Sequence, residues 1–107
     1  MILQVKSSMH PYTMLRTIVE ECSSAALFDE NLQPDVFGSA WAVYRLRTIT
    51  LRLVWDGKDG LGYLQSDRNG AWDDVGPYLT ETDLESAVPN HAKIELFRKA
   101  IRELPEV

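Results

Sequence analysis

Two hydrophobic periods divide the chain. Between Ser8 and Phe28 the apolar residues Leu15, Ile18, Val19, Cys22 and Ala26 recur at steps of three and four, the spacing that gives a helix one apolar stripe. Pro11 suits the first turn of that helix, where its missing N–H has no partner to lose. From Ser39 the period shortens to two. Ile49, Leu51, Leu53 and Trp55 alternate with Thr48, Thr50, Arg52 and Val54, which predicts a strand with one buried face. Trp41, Val43 and Tyr44 mark a strand before it, with a turn near Leu46 to Thr48. Leu61 to Gln65 and Ala71 to Val75 are the next two strands, the second ended by Gly76-Pro77. Asn69-Gly70 between them is a hairpin signal, because both residues accept positive φ. Asp29 to Gly38, which contains Pro34, is expected to be a loop.

The last quarter returns to helical spacing. Thr82 with Glu85 three residues on matches a capping box, Thr80 with Asp83 is a weaker version of it, and a short helix is expected from there to about Val88. Asn90 caps a final helix whose stripe is Ile94, Phe97, Ile101 and Leu104, closed by Pro105. This order predicts one α+β domain over residues 1–107. Its core is a four-stranded antiparallel meander, with the N-terminal helix and two C-terminal helices packed on one face. A chain of 107 residues with 45% apolar content can bury a sufficient core without metals or disulfides. The single cysteine, Cys22, has no internal partner and is expected to be a buried helix residue. The start, MILQVKSSMHPY, lacks a basic region followed by a long apolar run, and no window approaches the roughly 18 apolar residues of a membrane span. A cytoplasmic location without membrane contact is the expectation.

Charge changes this picture more than composition does. The net charge is −5, but its distribution is uneven. Residues 39–55 carry Arg45, Arg47 and Arg52 with no acid, whereas residues 56–85 carry eight acids against Lys58 and Arg68. An acidic segment of this kind disfavours direct nucleic-acid binding, which needs cations to neutralise phosphates. It suits a basic protein partner.

Candidate chemistry centres on LVWDGKDGLGYL, residues 53–64, with its two Asp-Gly pairs. A calcium loop needs oxygen ligands at alternating positions ending in a bidentate acid, and no such series follows Asp56 and Asp59. Asp67-Arg68-Asn69-Gly70 begins better, but Ala71 occupies the next ligand position. Turn chemistry accounts for these aspartates and glycines without a metal. His10 and His91 each stand at an expected helix start, where capping or a solvated surface explains them. No Gly-x-Ser-x-Gly elbow and no phosphate-cradling glycine loop occurs. Neither catalytic residues nor a cofactor are expected. Arg45, Arg47 and Arg52 lie on or beside strands, where they discourage edge pairing or hold a phosphate. Trp72 with Asp73 and Asp74 has the composition of an interface anchor, although a core tryptophan flanked by solvated acids is the simpler explanation.

The run FGSAWAVYRLRTITLRLVWDGKDGLGYLQ, followed by Trp72-Asp73-Asp74, resembles small bacterial immunity proteins, the antidotes encoded beside contact-dependent or polymorphic toxins. Members often carry a sheet with a pattern in which an arginine-bearing hydrophobic strand runs into Val-Trp-Asp-Gly and ends in Leu-Gln. The similarity spans Phe37 to Val75. It implies a non-catalytic protein that binds a cognate toxin, plausibly a nuclease with a basic cleft, and covers its active site. Asp56, Asp59, Asp73, Asp74, Glu81 and Asp83 would then steer association and Trp72 would anchor the contact. The competing expectation is a small-ligand or regulatory module, with a pocket between sheet and helices lined by Trp41, Tyr44 and Trp55. A third is a small hydrolase using Asp56 and His91.

Overall fold

A computed structural model describes residues 10–68, 70–85 and 87–104. The expected helix start at Ser8, Asn69 of the hairpin signal and the closing Pro105 lie outside these residues. The chain runs through helix α1 (His10–Cys22), strands β1 (Ala26–Gln33), β2 (Ser39–Leu46), β3 (Ile49–Asp56), β4 (Leu61–Arg68), β5 (Ala71–Asp74) and β6 (Leu79–Thr80), then helices α2 (Glu81–Glu85) and α3 (His91–Arg102). The fold is α+β, with an antiparallel sheet ordered β1-β2-β3-β4-β5.

That sheet has one long strand more than the four expected. Ala26 and Phe28 leave the helix, and Asp29 to Gln33 leave the expected loop, to form β1 on β2. The true loop is Pro34 to Gly38. The sequence ALFDENLQ hides this strand because it lies at a sheet edge and is exposed along nearly all its length, so no buried face imposes alternation. Its position is set from elsewhere. Tyr12 Oη donates to Glu30 Oε2 at 2.5 Å, and Arg16 Nη1 donates to the same oxygen at 2.8 Å. Replacing Glu30 with alanine strands the largely buried Tyr12 hydroxyl, at about 1–3 kcal/mol. The expected readout is faster amide exchange confined to β1 and its partners in β2.

The other elements follow their periods. Along β3, Ile49, Leu51, Leu53 and Trp55 are buried in strict alternation, and Ala40, Ala42, Tyr44 and Leu46 of β2 share their face. The stripe of α1 (Leu15, Ile18 and Val19) covers that face above β3 and β4. At Gly62 α1 packs close against β4: an added Cβ would stand 2.4 Å from Leu15 Cδ1. Phe97 and Ile101 of α3 complete the core. Cys22, expected inside, is only half-buried at the end of α1. β5 and β6 both pair with β4, β5 towards Arg68 and β6 at Leu61 and Gly62. No helix among the described residues is long and apolar enough to cross a membrane.

Of the two candidate capping boxes the structure uses the weaker one, not Thr82 with Glu85. α2 begins at Glu81, so Thr82 lies inside it, and the reciprocal bonds join Thr80 to Asp83. Asp83 Nα–H donates to Thr80 Oγ1 at 3.1 Å, and Thr80 N–H donates to Asp83 Oδ2 at 2.8 Å. α2 stops at Glu85, short of the expected Val88.

Candidate functional site

The turn at residues 56–60 is built from its own side chains. Asp56 Oδ1 accepts the N–H groups of Lys58 and Asp59, each at 3.1 Å, and the Gly60 N–H closes on the Asp56 carbonyl at 2.8 Å. Gly60 sits at φ +67, a conformation that glycine adopts without strain. Gly57 donates to Ser39 Oγ at 2.9 Å, so this turn also ties β3 to the start of β2. Among the described residues, no three His, Cys, Asp or Glu side chains converge as a metal-binding group.

The seven residues proposed from sequence as a partner surface fall into four places. Asp56, Trp72 and Asp74 share the sheet face turned away from the helices, at the register positions of Leu61, Asp67 and Gln65. Asp73 lies opposite Ser66, whose side chain points to the helix side, so it occupies the other face. Asp59 and Glu81 lie at the end of the sheet, where the Glu81 N–H donates to the Gly60 carbonyl. Asp83 is committed internally. Its carboxylate accepts from Thr80, from Lys93 Nζ at 2.9 Å and from Asn90 Nδ2 at 3.3 Å. Burial alone would raise its pKa, but these donors outweigh it and hold the group at about 2. A carboxyl depressed from 3.8 contributes stability that is complete above pH 4 and lost as pH falls through 2. Asp83→Asn is therefore expected to cost about 1–2 kcal/mol at pH 7, a penalty that shrinks as pH falls below 4 and vanishes only below about pH 2 in urea titrations.

The outward sheet face carries most of the large aromatic side chains outside the core. Trp41, Val43, Val54, Tyr63 and Trp72, with Arg52, line a shallow concavity of about 490 Å3, and none of the three helices lies over it. Two cations are folded onto rings. The Arg52 guanidinium stands 4.1 Å from the Trp72 ring centre, and that of Arg45 stands 4.9 Å from Phe28. Arg52 Nη2 also donates to Gln65 Oε1 at 2.6 Å. Gln65 Nε2 passes the connection to Asp74 Oδ1 at 3.3 Å, and Tyr78 Oη donates to that same oxygen at 3.3 Å. Tyr78 stacks on Tyr63 with centroids 4.7 Å apart. These contacts hold the aromatic groups in fixed orientations, so little side-chain freedom remains to be lost on binding. Asp29, Asp56, Asp67 and Asp74 lie around them at outward register positions.

No family model, curated protein or solved structure matches this chain. The site is therefore read from its geometry alone.

Two other clusters escaped sequence reasoning. Arg16, Glu20, Glu30, Tyr12 and Tyr44 converge from α1, β1 and β2. Arg16 bonds both carboxylates, and Tyr44 Oη donates to Glu20 Oε2 at 2.6 Å. Burial and the adjacent carboxylates push both tyrosines up, while Tyr44 and Arg16 hold Glu20 down against its own desolvation. Those shifts move all three groups away from neutrality, opposite to the tuning that general acid–base catalysis requires. The cluster pins the edge strand to the helix. His10 and His91 line a second feature, a groove between α1 and α3, although they are 81 positions apart in a chain of 107 residues. No spacing rule joins them; only the packing of α1 beside α3 does. The small-ligand pocket expected from Trp41, Tyr44 and Trp55 does not form, because Tyr44 and Trp55 are core residues and Trp41 points to the opposite face. Asp56 and His91 likewise stand apart, one in the β3–β4 turn and the other in the helical groove.

Proposed function

We propose that the chain is a non-catalytic protein-binding domain of the immunity type, which neutralises a toxin by docking the outward face of its sheet. The observation that carries this reading is the uncovered aromatic face centred on Trp41, Tyr63 and Trp72 and bordered by carboxylates. Preoriented aromatic anchors inside a polar border are the arrangement that concentrates binding energy at protein interfaces. Complexes of this kind typically bury about 800 Å2 per partner, which a five-stranded face can supply. Asp56 and Asp74 steer a basic partner towards the face, and Asp59 and Glu81 extend the acidic field beyond the sheet end. Asp73 contributes only to the long-range field, and Asp83 supports α2. A nuclease, whose cleft must be cationic to hold phosphates, is the partner this charge pattern suits best.

The test is genetic and biochemical together. The product of the adjacent reading frame is expressed alone and with this chain, and growth and complex formation are followed. Growth arrest relieved by co-expression, with a complex that weakens as salt rises, is the expected result. A neighbour that is harmless alone and forms no complex at any salt concentration would overturn the proposal.

A further inference from the structure

The groove between α1 and α3 lies apart from the sheet face and is lined by different residues. Arg98 of α3 reaches Glu21 and Cys22 at the C-terminal end of α1, through Nη1 at 3.6 and 3.7 Å. His91 shares the groove with His10 at the other end, so the two helices run side by side in the same direction. The floor between them is apolar, formed by Met14, Ile18, Leu84, Pro89 and Ile94. From His10 to Ile18 it extends about 12 Å along the helix. The volume, about 680 Å3, is that of a small-molecule site.

The charge of the lining selects the ligand. In a chain of net charge −5, the charged residues that line this groove are Arg98 and Glu95, with the imidazoles of His10 and His91 as further polar groups. Glu95 is already engaged, with Arg102 Nη1 3.0 Å from its Oε2. Glu85 is largely buried, stands 3.6 Å from His10 Nε2 and is not part of the groove wall. Arg98 has five N–H donors, and both contacts given above run through Nη1. The exposed Glu21 pairs with it only weakly across solvent.

We propose that this groove binds a free medium-chain carboxylate, with the acyl chain on the Met14–Ile18–Ile94 floor and the carboxylate at the Arg98 guanidinium. A planar two-pronged donor matches a carboxylate in shape as well as charge. The apolar floor excludes small hydrophilic anions by giving them nothing to bury.

Decanoate, kept below its micelle concentration, is titrated into the full chain and followed by amide and side-chain NMR. Saturable shifts confined to α1, α2 and α3 are expected, with sub-millimolar affinity. Decanol should bind about tenfold more weakly, Arg98→Gln should weaken decanoate about tenfold, and decyltrimethylammonium should not bind. Met14→Gln, at a half-buried position, should weaken decanoate and decanol alike. Equal binding of decanol and decanoate, shifts centred on Trp72, or no saturation by about a millimolar would each overturn the proposal.

Discussion

Replacing Gly57 with alanine is expected to destabilise the fold by about 2–4 kcal/mol, although the residue lies in an exposed-looking turn. A Cβ built there would stand 1.8 Å from the Phe37 carbonyl oxygen and 2.6 Å from its carbon. The carbonyl cannot retreat cheaply. It belongs to the Pro34–Gly38 loop, where Val36, Gly38 and Ser39 N–H groups bond back to Gln33, Pro34 and Val36 carbonyls. Phe37 itself sits at φ 56, so the loop is already held in a conformation that non-glycine residues disfavour. Gly60→Ala is the internal control. It has open space around it but a φ of +67, and should cost only about 1 kcal/mol once the stiffer unfolded chain is counted. Urea denaturation of both variants decides the matter. If Gly57→Ala proved as mild as Gly60→Ala, the close approach of the two turns would be wrong.

Trp72→Ala should weaken binding to the proposed toxin partner by about 30- to 1,000-fold while changing folding stability by less than about 1 kcal/mol. The asymmetry arises because Trp72 is 38% exposed and its main internal contact is the Arg52 cation over its ring. A core tryptophan such as Trp55, 3% exposed, would behave in the opposite way. Two aspartates sharpen the test. Asp74→Asn, on the outward face, should slow association at low salt, and Asp73→Asn, on the other face, should leave it nearly unchanged. The kinetics are read by stopped-flow or surface binding at two salt concentrations. Equal effects at Asp73 and Asp74 would place the interface elsewhere.

Much of the fold was legible in the chain, for reasons that differ by element. β3 was clear because burial on one face leaves a strict alternation of Ile49, Leu51, Leu53 and Trp55 with polar or smaller neighbours. α3 was clear because Phe97 and Ile101 lie on one stripe and Asn90 caps it, with Oδ1 accepting the Lys93 N–H at 3.1 Å. β1 was not, since an edge strand exposed on both faces has no periodicity to display. It forms because β2 offers it backbone partners and Glu30 is held by Tyr12 and Arg16, both distant in sequence. The aspartates were visible as an acidic segment, but their separation onto two faces and a sheet end depends on strand register.

The amino-acid sequence alone determined an acidic α+β domain with a central antiparallel pair, amphipathic helices at both ends and glycine-dependent turns. Those properties are local: they follow from spacing, caps and backbone conformation within a few residues. Tertiary structure decided which aromatic residues became core and which became surface. It also placed Arg52 over Trp72, joined His10 to His91 across one groove and brought the Gly57 turn against Phe37. Such contacts depend on how separate elements meet, and a linear pattern carries no record of that meeting.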